Sequence, residues 1–124
     1  MLSGRRSVLI IEDNADVRDG LEVVLADEGY EVATAANGRQ ALNKLYAGLR
    51  PGLILMDLMM PVMNGFEFRQ EQLSHPIFAS IPLIAYSGIT NPRETAAQLN
   101  ATAYIHRPEE AHRIVALVNR YCLP

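Results

Sequence analysis

The chain has 124 residues, of which 49% are hydrophobic and 20% charged, a balance that suits one globular domain over 1–124 with its core at 7–121. Its net charge of -3 argues against direct nucleic-acid binding, since that requires a basic surface. A single cysteine makes no intramolecular disulfide, and no cluster of cysteine and histidine suggests a zinc site. The apolar run after Arg5-Arg6 is too short for a signal peptide or a membrane span, so we expect a cytoplasmic protein.

Aliphatic segments and helical patterns alternate five times along the chain. Strands are predicted at 8–11, 30–35, 53–57, 82–86 and 103–105. Helices are predicted at 15–28, from 38 to the break at Arg50-Pro51-Gly52, at 66–73, 92–99 and 109–121. This alternation indicates the α/β class, with a five-stranded parallel sheet covered by helices on both faces. The natural choice is a doubly wound, flavodoxin-like fold with strand order 2-1-3-4-5.

Several helix ends carry their own sequence signals. Asn14 is a candidate N-cap of the first helix, and Gly29 is a candidate stop. Asn91-Pro92 predicts another helix start, with Glu94 at the position of a capping box. The acidic pair Glu109-Glu110 would complement the dipole of the last helix.

The central strand ends abruptly on a carboxylate. Four apolar residues, 53–56, are followed directly by Asp57. Such a run is typical of a parallel strand that is buried on both faces. Asp57 then lies at the carboxyl end of the strand, where open α/β sheets bind their ligands. A carboxylate in that place must face a polar pocket, because its burial alone is costly.

Other polar residues follow neighbouring strands at the same sheet edge. Glu12-Asp13 follow the first strand, Ser87 the fourth and Arg107 the fifth. Each could be an ordinary cap, turn residue or surface charge, but their joint placement favours a site. Crowded carboxylates invite magnesium or manganese, and a hydroxyl with a cation suits a phosphoryl group. The set supports attack of Asp57 on phosphorus, giving an acyl phosphate.

These residues resemble the receiver domain of two-component response regulators over nearly the whole chain. The resemblance rests on VLIIEDN at 8–14, on LMDLMMP at 55–61 with Asn64-Gly65, on Ser87-Gly88, and on AYIHRP at 103–108. The first two motifs are specific when they occur together at this spacing. The resemblance implies a phosphorylation-activated switch rather than an enzyme acting on other substrates.

The resemblance also implies roles for individual residues. Asp57 would be the phosphoacceptor, and Glu12 and Asp13 would hold magnesium, Asp13 directly and Glu12 through water. Met59 would supply its backbone carbonyl to the metal. Ser87 would contact the phosphoryl group.

Further roles fall on the last part of the chain. Tyr104 would be the aromatic switch residue that moves between exposed and inward positions, and the peptide bond before Pro108 would be cis. Arg107 stands where the family has a lysine, and arginine is longer, planar and not interchangeable with it. We expect phosphorylation to survive this change with altered kinetics or coupling. The segment from Ser87 to Arg107 is also slightly short for the family, so the fourth helix or its flanks should be trimmed.

The implied phosphodonor is a histidine kinase or a histidine phosphotransfer protein. The implied output is a downstream protein target or output domain, or a homodimer, through the face of helix four, strand five and helix five. The chain would be either a stand-alone regulator or a receiver cut from a longer protein. One alternative is a pseudo-receiver that binds partners without phosphorylation. Another is a magnesium-dependent phosphatase with an aspartyl nucleophile, which Met59 disfavours because such enzymes place a second acid there.

Overall fold

Five parallel strands form one sheet in the order β2-β1-β3-β4-β5, as expected. The computed structural model describes residues 6–87, 92–105 and 111–123. The strands are β1 Ser7–Ile11, β2 Glu31–Ala35, β3 Leu53–Asp57, β4 Leu83–Tyr86 and β5 Ala103–Ile105. The helices are α1 Ala15–Asp27, α2 Gly38–Tyr46, α3 Gly65–Ser74, α4 Pro92–Leu99 and α5 Ala111–Tyr121. The predicted class and topology are therefore confirmed.

Some predicted features fall outside the described residues. These are the helix cap at Asn91, the acidic pair Glu109-Glu110, the basic residue Arg107 and the peptide bond before Pro108. At the other predicted boundaries, the Asn14 side chain accepts a hydrogen bond from the Val17 N–H and caps α1. Gly29 follows α1 with a φ of 94°, the left-handed conformation that glycine adopts without strain.

The sheet separates two layers of apolar core. One face packs against α2, α3 and α4, and the other against α1 and α5. β3 contributes to both layers, because Ile54 and Met56 face one side while Leu53 and Leu55 face the other, and all four are fully buried. Burying such side chains stabilises the fold by roughly 1.5–3 kcal/mol each. By the same alternation, Asp57 lies on the α1 and α5 side.

Strand register brings the carboxyl ends of β1, β3 and β4 together. Ile11 pairs with Met56, and Asp57 pairs with Tyr86. The residues that follow β1 and β4 therefore flank the end of β3, at the edge where the sequence predicts the site.

A buried arginine ties α3 to the end of α4. The guanidinium of Arg69 donates to the backbone carbonyls of Leu99 at 2.9 Å and Asn100 at 2.6 Å. It also donates to Oε1 of Gln72 at 2.7 Å. Burial lowers the pKa of Arg69. These contacts fix the last turn of α4 and the start of the connection to β5.

Among the helices within the described ranges, none has the length and apolar character needed to span a bilayer.

Candidate functional site

Three carboxylates meet at the carboxyl edge of the sheet. Glu12 and Asp13 follow β1, and Asp57 ends β3; each has a carboxylate oxygen within 4.8 Å of the others. Glu12 is buried, Asp57 is half-buried and Asp13 is exposed. The predicted acidic residues are therefore brought together in a cleft that is open on the Asp13 side.

The Glu12 carboxylate is held at both oxygens. Oε2 accepts a hydrogen bond from the backbone N–H of Asn14 at 3.0 Å. Oε1 accepts one from the hydroxyl of Tyr86 at 2.5 Å. The backbone of Glu12 is fixed as well, because its N–H donates to the carbonyl of Ala35 and its carbonyl accepts from the Arg18 guanidinium. Burial raises the pKa of Glu12.

Asp57 lies in an environment that disfavours its charge. Burial and the neighbouring Glu12 carboxylate raise its pKa to about 7, while the backbone N–H of Met59 donates to Oδ1 at 3.2 Å and opposes that rise. Desolvation and like charges both disfavour ionised carboxylates. A divalent cation bound between these oxygens would relieve this cost, so the residues present fit a magnesium ion.

The loop after Asp57 is closed against the end of β3. The N–H of Gly65 donates to the carbonyl of Leu58 at 2.9 Å. A Cβ atom added at Gly65 would lie 2.9 Å from Cα of Leu58, so no larger residue fits this approach. Asn64 and Glu67 form a capping box that begins α3. The sequence contains this signal, Asn-x-x-Glu, and α3 begins at Gly65, one residue before the predicted start at Phe66.

Backbone strain lies at the outer tip of the same loop. Val62 has a φ of 69°, which is a rare conformation for a β-branched residue. The N–H of Met63 donates to the carbonyl of Pro61 at 2.7 Å across it, as in a classic γ-turn. The side chains of Val62 and Met59 are both well exposed. The loop that carries the Met59 backbone toward Asp57 is therefore held by a tight turn.

Ser87 at the end of β4 and Tyr104 on β5 lie beside the acidic cleft. Ser87 directly follows β4, is buried, and lines the same cleft as the three carboxylates. Tyr104 on β5 is half-buried and packs against the core layer beneath α2, α3 and α4. Its hydroxyl is shielded from solvent, and burial raises the pKa of Tyr104. Of the two positions that the resemblance implies for this side chain, it lies in the inward one. Arg107, the predicted cation, lies outside the described residues.

Sequence reasoning overlooked Tyr86. From the sequence, Tyr86 is predicted only as the last residue of a strand. Tyr86 is the register partner of Asp57 and therefore faces the same side of the sheet, but that register depends on strand pairing and has no local sequence signal.

The family model for the response regulator receiver domain matches residues 8–119. The chain belongs to this family. Phosphotransfer is the family's standard function, and the chain is a phosphoacceptor receiver of two-component type. The match covers β2 to β5 in full, all of β1 except Ser7, and the site edge built from the carboxyl ends of the strands.

Individual relatives are similar to the chain over most of its length. A 14.6 kDa protein encoded in the sodA1 3′ region of Leptolyngbya boryana is 33% identical over 118 residues, which are 94% of this chain and 89% of that protein. Response regulator Rre1 of Synechocystis is 30% identical over 115 residues, 90% of this chain and 49% of that regulator. The DNA-binding response regulator MtrA of Mycobacterium tuberculosis is 31% identical over 116 residues, 92% of this chain and 49% of that protein. The receiver spans about half the length of these last two regulators.

Solved receiver structures superpose closely. The signal receiver domain of a histidine kinase from Syntrophus aciditrophicus gives a TM-score of 0.85 at 28% identity, covering 93% of this chain and 88% of that one. The receiver domain of a sensor histidine kinase from Pseudomonas aeruginosa gives 0.82 at 26% identity, covering 93% and 95%. That second structure holds a magnesium ion coordinated in its active-site cleft.

Proposed function

We propose that Asp57 is the phosphoacceptor of a magnesium-dependent switch. A histidine kinase or a histidine phosphotransfer protein would donate the phosphoryl group. One observation carries this proposal: carboxylate oxygens of Glu12, Asp13 and Asp57 lie within 4.8 Å of one another at the end of the central strand. Carboxylates gathered so closely can hold a divalent cation, and a receiver uses one of them as its phosphoacceptor.

Glu12, Asp13, Asp57 and the backbone carbonyl of Met59 would hold the cation. An all-oxygen donor set that includes few carboxylates suits magnesium, and manganese accepts the same donors. The magnesium ion in the cleft of the Pseudomonas aeruginosa receiver supports the choice of magnesium. When bound, the ion supplies positive charge that offsets repulsion between the carboxylate and the phosphoryl oxygens.

In the transfer step, a carboxylate oxygen of Asp57 attacks the phosphorus of a phosphohistidine. The new O–P bond forms as the P–N bond breaks, and the imidazole nitrogen keeps the electron pair and takes up a proton. The Met59 N–H keeps the carboxylate oriented through Oδ1. The Ser87 hydroxyl would donate to a phosphoryl oxygen, and Arg107 would pair with its charge. Positioning and charge stabilisation are the main requirements of such a transfer.

Phosphorylation would then be communicated through Tyr104 to the surface of α4, β5 and α5. A change in Tyr104 beside Ser87 would favour one of two pre-existing arrangements of this face. We infer that the face binds a downstream protein, an output domain or a second copy of the chain. The chain acts as one domain over 1–124 and catalyses only its own phosphorylation and dephosphorylation. Because histidine kinases use ATP, we expect phosphoryl transfer to this chain to take place in the cytoplasm.

Intact-mass measurement after incubation with magnesium and acetyl phosphate tests the proposal. The wild type should gain one labile phosphoryl group, and Asp57→Asn or excess chelator should abolish the gain. Asp27→Asn is the matched control, because Asp27 is an exposed aspartate at the end of α1, and it should be phosphorylated like the wild type. A wild-type protein with no adduct, and no structural response to beryllofluoride, would instead favour the pseudo-receiver.

A further inference from the structure

Tyr86 enters the acidic cleft from the core of the sheet. It is the last residue of β4 and is 1% exposed. Its ring belongs to the core layer beneath α1 and α5. β3 lies between β4 and β1, so the side chain must pass the end of β3 and Asp57 to reach Glu12. Strands two apart are separated by about 9.5 Å, a gap that the length of a tyrosine side chain helps to bridge.

The contact that Tyr86 makes determines how Glu12 is oriented. Its hydroxyl donates to Oε1 at 2.5 Å, while the Asn14 N–H donates to Oε2 at 3.0 Å. The carboxylate cannot rotate without losing one of these hydrogen bonds. Because the Tyr86 ring is packed in the core, its hydroxyl is a fixed donor.

We propose that Tyr86 is a positioning residue of the metal site, which sets magnesium affinity by orienting Glu12. This inference rests on the proposed function, since it assumes that Glu12 helps to hold the ion. Each Glu12 oxygen keeps a lone pair for the metal or its water after accepting one hydrogen bond. A carboxylate that is already oriented loses less freedom when the ion binds. Loss of a partner that orients a ligand typically weakens metal affinity 10- to 100-fold.

Tyr86→Phe removes only the oxygen and keeps the ring in the core. We expect isothermal titration calorimetry to give a magnesium dissociation constant about 10-fold or more above that of the wild type. Tyr30→Phe is the matched control. Tyr30 is also buried, and its hydroxyl donates to Oδ1 of Asn119 at 2.6 Å near the opposite end of the sheet. Its loss should leave magnesium affinity unchanged.

A double-mutant cycle separates positioning from a general effect on folding. If Tyr86 acts through Glu12, Tyr86→Phe should have little effect on magnesium affinity in a Glu12→Gln background. Equal effects in both backgrounds, or a wild-type affinity in Tyr86→Phe, would overturn the inference. Absence of magnesium binding by the wild type would overturn the proposed metal site itself.

A measurement on the wild type avoids dependence on variants that fold poorly. In protein labelled with 3-fluorotyrosine, the ¹⁹F resonance of Tyr86 should shift on magnesium titration with the calorimetric dissociation constant. The resonance of Tyr30 should stay in place. A Tyr86 resonance that does not respond would contradict the inference.

Discussion

The charge of Asp57 should destabilise the metal-free protein, and Asp57→Asn removes that charge while keeping the shape of the side chain. In the cleft, burial and then the charge of Glu12 raise the pKa of Asp57 from its ordinary 3.8 to about 7. The folded state therefore holds a proton that the unfolded chain has released. In a chelating buffer at neutral pH, the variant should be more stable than the wild type.

The sign and size follow from proton linkage. Between pH 3.8 and about pH 7, the folded protein binds more protons at Asp57 than the unfolded chain does. The free energy of unfolding of the wild type therefore falls as pH rises through this range and levels off above pH 7. A pKa difference of about three corresponds to roughly 4 kcal/mol at 1.36 kcal/mol for each unit of pKa. The cleft is open to solvent on the Asp13 side, and screening reduces this to about 1–2 kcal/mol.

Urea denaturation of both proteins in chelator, at intervals from pH 4 to pH 8, measures the effect. The stability advantage of Asp57→Asn should grow from pH 4 to pH 7 and then stay level. Saturating magnesium should shrink it, because bound metal stabilises the wild type more. Asp27→Asn should follow the wild type at every pH. Parallel profiles for wild type and Asp57→Asn would refute the reasoning.

Three further substitutions test the framework around the site. Arg69→Lys should lower the free energy of unfolding, measured by urea denaturation, by about 2–3 kcal/mol, because an ammonium cannot reach all three oxygens that the guanidinium binds. The control Arg39→Lys, at an exposed position, should leave the free energy of unfolding unchanged. Asn64→Ala should lower the free energy of unfolding by about 1 kcal/mol, and Asn64→Ser should lower it by less, because serine still caps α3. Equal losses for the two variants in thermal unfolding would contradict the capping role. Val62→Gly should raise the free energy of unfolding by up to about 1 kcal/mol, because glycine adopts the positive φ at this position without strain. A lower free energy of unfolding in this variant would show that the turn is not strained.

The sequence predicted the fold and the acidic residues for a simple reason. A buried run followed by Asp57 and an aliphatic strand followed by Glu12-Asp13 are local patterns, and parallel topology brings their ends to one edge. Helix ends with strong local signals, such as Asn14 and Gly29, were equally accessible. The role of Arg107 stays a prediction.

Two contacts of the structure could not be predicted from local patterns, because they depend on strand register and on side chains that reach across the fold. The hydrogen bond between Tyr86 and Glu12 joins residues 74 positions apart, and it crosses the end of β3, which lies between β4 and β1. The contacts of Arg69 with the end of α4 are similarly long-range.

The amino-acid sequence by itself therefore determined the order of elements, the edge of the sheet that bears the site and the identity of its carboxylates, because these follow from periodicity and chain direction. Only the tertiary structure decided how Glu12 is held, how far the Asp57 charge is disfavoured and which way Tyr104 faces. Those properties depend on burial and on distances between strands, which no local pattern encodes.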